Sequence, residues 1–166
     1  TYGVPVIPGS SLKGCLRSRL ALAPNHPEFA KYDPVLQYLF GTSDGSGALE
    51  VFDAWWVPPS SPTDSGLSVD VLTPHHQDYN GKKPYGKGDI ASPSDSDSPI
   101  PVNFLTITGS FYFVIGFSRV PEDQVEGWKV FVRTLMDDVL QKRGLGAKQR
   151  AGYGRFLQSI EPPPAN

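Results

Sequence analysis

Gly144 to Phe156 reads Gly-Leu-Gly-Ala-Lys-Gln-Arg-Ala-Gly-Tyr-Gly-Arg-Phe. Two Gly-hydrophobe-Gly clamps, Gly144/Gly146 and Gly152/Gly154, bracket a bridge that carries Lys148 and Arg150. Glycine admits positive φ and lets a second backbone approach closely, because it has no Cβ. A basic bridge held between such points can press amides and cations onto a phosphate backbone, with Gly146, Lys148, Arg150, Gly152, Tyr153 and Arg155 as contacts. Lys142, Lys148, Arg143, Arg150 and Arg155 fall between Asp138 and Glu161 with no acid among them. The string is neither a P-loop, which needs Gly-Lys-Ser/Thr, nor a dinucleotide fingerprint, which needs a glycine where Gln149 stands. The same glycines also suit a helix C-cap and a tight turn into a strand.

His75-His76 is the other place where chemistry is possible. Zinc sites draw on several Cys, His or carboxylate ligands, and the chain has only one further histidine, His26, so no metal is expected. A histidine titrates near neutrality, so the pair suits a general base. It equally suits contacts to RNA at the end of a strand, or plain packing.

The elements that must hold these residues follow from periodicity. Pro8-Gly9-Ser10-Ser11 reads as a turn ending in capping hydroxyls. Leu12, Cys15, Leu16, Leu20 and Leu22 then recur at helical spacing, with Lys13 and Arg17 one turn apart on the other side and Arg19 nearby. A helix N-terminus carries unbonded amides, so Ser10 and Ser11, with Lys13 and Arg17 behind them, form a second candidate phosphate site. An ordinary capped surface helix fits the same residues. Pro34 to Phe40 predicts a short helix, and Ala48 to Val57 a strand apolar on both faces, with Asp53 as a hydrogen-bonded structural carboxylate in its middle. Leu67 to Thr73 predicts a strand. Residues 74–101 form a polar, Gly/Pro/Ser/Asp-rich stretch expected to be a flexible inserted arm that orders on RNA. Val102 to Phe117 predicts a long strand bulged at Gly109-Ser110. A helix opens at Pro121-Glu122-Asp123, with Val125, Trp128, Phe131, Val132, Leu135 and Val139 on its core face, and Lys142, Arg143 and Gly144 close it. Tyr153 to Ile160 predicts one more strand.

Helices alternating with antiparallel strand pairs predict an α+β, ferredoxin-like domain, one sheet with helices on one face. The 166 residues, 39% of them hydrophobic, suit a single domain with one core. One cysteine, Cys15, excludes an intrachain disulfide and fits a reducing cytoplasm. No apolar run approaches the ~20 residues of a membrane helix. A formal net charge of -2 would count against nucleic acid if the charge were evenly spread. It is segregated: Lys13, Arg17 and Arg19 precede the first acid, Glu28, and with the Gly-rich stretch they place eight of the 15 Lys+Arg in two acid-free segments.

Three strings resemble one family in its order. The paired Gly-hydrophobe-Gly clamps resemble the C-terminal signature of the RAMP superfamily, the RNA-binding subunits of CRISPR effector complexes. Ile7-Pro-Gly-Ser-Ser-Leu-Lys-Gly14 resembles the motif at the first RAMP helix, and Phe40-Gly41 followed by Leu49-Glu-Val-Phe-Asp53-Ala resembles the next strand. Asp70-Val-Leu-Thr-Pro-His-His-Gln-Asp-Tyr79, with Pro99-Ile-Pro-Val-Asn-Phe-Leu105, resembles the branch of the sixth subunit of type III-B (Cmr) complexes. The resemblance implies an RRM-like fold with the Gly-rich loop before the last strand. The implied partners are CRISPR guide RNA, target RNA and other Cmr-complex RAMP subunits, with no membrane and no cofactor. It implies a non-catalytic subunit holding the 3′ part of the guide. A metal-independent endoribonuclease with His75 or His76 as base is the rival, since some RAMP proteins are such enzymes. The family has a strand upstream of the first helix, so an additional segment before Thr1 is expected.

Overall fold

A computed structural model of the chain describes residues 3–21, 34–59, 66–74 and 98–157. The chain divides into two compact units, Thr1–Trp56 with Phe111–Asn166, and Val57–Ser110.

The first unit is built on three helices. α1 (Gly9–Ala21) and α2 (Pro34–Phe40) are followed, much later in the chain, by α3 (Glu122–Asp138). Leu12 and Leu16 of α1 are fully buried one turn apart, and Leu39, Leu49, Val132, Val139, Leu140 and Leu145 complete the core around them. Removing such side chains from water is the main favourable contribution, roughly 1.5–3 kcal/mol each. Cys15 and Leu20 pack beside this core as expected, whereas Leu22 lies outside the described residues. The expected core face holds for Trp128, Val132 and Leu135 of α3 and for Val139 just after it; Met136 also packs against the core, whereas Phe131 is 38% exposed. The Phe131 ring stands edge-on to Trp128, centroids 5.9 Å apart, at the rim of the core.

The strands pair antiparallel, as the α+β reading requires, but they are shorter than the sequence suggests. β1 (Val6–Ile7) pairs with β3 (Ala54–Val57), which β6 (Ser110–Tyr112) flanks on its other side. β2 (Leu49–Val51) pairs with β7 (Ile115–Phe117), Leu49 opposite Phe117. The single strand expected over 48–57 therefore breaks at Phe52–Asp53 and serves two ladders. The break has a cause: the Phe52 amide turns to the Val114 carbonyl at 3.1 Å, and the Asp53 carboxylate turns to α1. The long strand expected over 102–117 divides into β5 (Val102–Ile107), β6 and β7. At Gly109 the backbone takes φ 118, so the predicted bulge is a full interruption.

The second unit holds β4 (Leu67–Leu72) and β5 in one six-pair antiparallel ladder, Leu67 opposite Ile107 through Leu72 opposite Val102. One face pairs Ser68 with Thr106, whose hydroxyls lie 2.7 Å apart, and the other presents Val69 and Leu105, 66% and 70% exposed. Residues 75–97 of the expected arm lie outside the described residues, and 98–101 have no regular structure. No helix among the described residues is long and apolar enough to cross a membrane.

Candidate nucleic-acid interface

α3 begins with Glu122 and Asp123 in its first turn, where acids complement the helix dipole. It ends in a π-helical turn, Val139–Arg143, closed by the Gly144 amide donating to the Val139 carbonyl at 2.8 Å. π turns are uncommon and concentrate at functional sites. Here the wider turn leads straight into the Gly-rich loop.

The two clamps meet. The Leu145 amide donates to the Gly154 carbonyl at 2.8 Å, and a Cβ built on Gly154 would sit 1.8 Å from the Leu145 carbonyl oxygen. Gly144, Gly146, Gly152 and Gly154 all have positive φ, between 73° and 95°. Lys148 is left-handed too, at φ 57, and starts a 3-10 turn over Gln149–Ala151. The Gln149 side-chain amide braces the bridge by donating to the carbonyls of Gly144 and Gly146, each at 3.1 Å. Leu145 is buried in the core, so the loop is pinned from below. At its exit the Phe156 amide donates to the Leu140 carbonyl at 3.0 Å, and the ring packs edge-on to Phe111 and Phe113. Residues 153–157 form no strand, so the part of the predicted last strand that lies among the described residues is absent; residues 158–160 lie outside them. The chain leaves the second clamp by packing an aromatic ring, without joining a ladder.

This scaffold gathers Gly146, Lys148, Arg150, Gly152, Tyr153 and Arg155 on one loop. Arg150 and Arg155 are exposed and make no ion pair among the described residues, while Lys148 and Tyr153 are half-buried.

The second candidate group lies on α1, and the structure uses part of it differently from expectation. The helix begins at Gly9, so Ser10 and Ser11 stand in its first turn, exposed, and not at the cap. The capping carboxylate comes from Asp53, which accepts the Gly9 amide at 2.8 Å across 44 residues of sequence. An acid at a helix N-terminus is favourable by hydrogen bond and by dipole. Gly9 must be glycine, since a Cβ there would meet the Val51 carbonyl oxygen at 2.3 Å. Lys13 turns inward, its amine donating to the Leu49 carbonyl at 2.7 Å, and Arg17 is exposed with no partner among the described residues.

Two features tie α1 to the loop. Leu12, Leu16 and Leu145 share the core. Asp138, at the end of α3, binds Arg19 of α1 and, at 2.7 Å, Lys142 of the π turn. The Arg19 hydrogen bond first, and the Lys142 one second, lower the Asp138 carboxyl to about 2. Lys142 and Arg19, two of the cations in the acid-free segments, are thus engaged within the fold. His75 and His76 lie outside the described residues.

Sequence reasoning missed Gln149, Asp138 and Leu145 as parts of the site. Gln149 had a signal, because it occupies the one position where a dinucleotide loop would need glycine. Asp138 had a weaker one, as the acid that ends the charged helix just before the basic segment.

The RAMP superfamily model matches residues 1–157. The chain is 29% identical over 122 residues to the CRISPR system Cmr subunit Cmr6 of Pyrococcus furiosus, a match covering 74% of this chain and 34% of that protein. The chain thus spans about a third of the length of that relative. Among solved structures it resembles a chain of the type III-B Cmr-beta complex bound to cognate target RNA, with a TM-score of 0.63 and 31% identity over 95% of this chain and 46% of that one. It also resembles the crystal structure of Cmr6 from Pyrococcus furiosus, with a TM-score of 0.54 and 25% identity over 96% of this chain and 85% of that one. A family match over nearly the whole chain, with the paired glycine clamps folded as one braced loop, gives one conclusion: the chain belongs to the RAMP superfamily, on the type III-B Cmr side of it.

Proposed function

We propose that the chain is a non-catalytic RNA-holding subunit of a type III-B CRISPR effector ribonucleoprotein. It grips the 3′ part of the guide RNA and the target paired to it, and it sits among other Cmr RAMP subunits. On this reading 1–166 acts as one RAMP domain, with 74–101 as an arm upon it. The observation that carries the proposal is the loop itself. A doubly clamped, internally braced turn is rooted in the core and holds Arg150 and Arg155 in solvent. Such a loop meets phosphates without rearranging, and cations that touch only phosphates position RNA without reading its bases. The likeness to a chain in a complex bound to target RNA supports the same partner class.

The test is salt-dependent binding of guide RNA. Reversing Lys148 and Arg150 together to Glu is expected to weaken binding at low salt at least tenfold. It should also flatten the plot of log affinity against log salt by about 0.7 for each lost phosphate contact. A folded double variant with an unchanged isotherm would remove the loop from the interface.

A further inference from the structure

Away from the Gly-rich loop, the first unit has an open concavity of about 320 Å³, lined chiefly by Gln37, Tyr38, Thr42, Ser46 and Arg119. Arg119 is one of two non-glycine residues with positive φ among those described, at 58°. A left-handed backbone disfavours a side chain as long as arginine's, and such outliers persist where function holds them. Its Nη2 donates to the Ser46 carbonyl at 2.9 Å and to the Ser46 hydroxyl at 2.7 Å. These bonds fix the guanidinium plane, while Nε and Nη1 have no partner among the described residues. Arginine offers five N–H donors in a rigid fork, so donors remain for a ligand. Tyr38 lines the same hollow, 37% exposed, and packs against Trp128 with ring centroids 5.2 Å apart and 33° from parallel. The lining holds one cation and no acid.

A braced guanidinium and an anchored aromatic ring lining one hollow suit a planar ligand with acceptors along its edge. We propose that this concavity seats one unpaired RNA base, stacked on Tyr38 and hydrogen-bonded at its edge by Arg119. Stacking on aromatic side chains and on guanidinium planes is how exposed RNA bases are held. Trp128 lies ten residues before Asp138 on α3, which puts the seat about 15 Å along the helix from the turn that begins the basic loop. The proposal rests on the RNA-holding reading and adds to its phosphate grip a contact with a base.

The probe is a single-stranded RNA 12-mer carrying 2-aminopurine, whose fluorescence falls when it stacks, with anisotropy of an end label reporting binding. The chain is expected to quench the base on binding. Tyr38→Leu and Arg119→Lys should remove the quench and weaken binding about 5- to 150-fold, the range for one stacked base. Tyr38→Phe should keep both, which guards against a fold defect in the leucine variant. Lys148→Glu with Arg150→Glu should weaken anisotropy binding but leave the quench intact at saturation. Binding without a quench, or a quench that survives Tyr38→Leu, overturns the seat and leaves the phosphate grip standing. No binding by anisotropy at all overturns both.

Discussion

Gly154 has no room for a side chain, whereas Gly146 has room but the wrong backbone. At Gly154 an added Cβ meets the Leu145 carbonyl oxygen at 1.8 Å, and at Gly146, φ 80, it meets nothing within 4 Å. Gly146→Ala should therefore cost only left-handed strain, about 1–2 kcal/mol. Gly154→Ala must also separate the two clamps, and should cost about 3 kcal/mol or more. Urea unfolding of both variants checks this, and equal losses would show that the close approach is not maintained in solution. The positive φ of Gly146 and Gly152 was legible in the sequence because the clamp repeats, and a repeated Gly-hydrophobe-Gly has few other uses. Gln149 was legible only as a departure from other glycine loops, since its bonds to two carbonyls need the folded turn to exist first.

Between elements, Asp138 joins α1 to the end of α3 through Arg19 and Lys142. Its carboxyl is lowered to about 2 in the fold, against about 3.9 for an unfolded aspartate. A depressed acid stabilises above the unfolded value and loses that contribution as pH falls through the folded one. Asp138→Asn should therefore lower the melting temperature near neutrality, and the gap to the parent should close between about pH 4 and pH 2. Lys142 is largely exposed, so screening keeps the effect small, about 1 kcal/mol or ~2–4 °C. A gap that persists unchanged at pH 2 would mean the loss comes from packing. Local patterns revealed α2 at its observed bounds and β4 to within a residue, because hydrophobic spacing and flanking prolines specify both. The start of α1 and the break between β2 and β3 were hidden for a shared reason. Both depend on Asp53 reaching Gly9 across 44 residues, and no window along the chain contains both partners.

For the whole molecule, the cations are segregated along the sequence, and folding engages three of them, Lys13, Arg19 and Lys142, internally. A holding subunit and a nuclease differ at His75 and His76. In an assembled complex, His75→Ala with His76→Ala should leave target cleavage products nearly unchanged. Loss of one mapped product by ~10²–10⁴-fold, with assembly intact, would transfer the chain to the enzymes. Leu145 has a consequence for biogenesis. Leu145, between the glycines of the first clamp, is also a buried member of the core with Leu12, Leu16 and Val139, so the same packing that closes the core seats the Gly-rich loop. If the loop holds a guide as proposed above, a half-folded copy has no grip to offer, and guide binding reports on the closed core as well as on the loop.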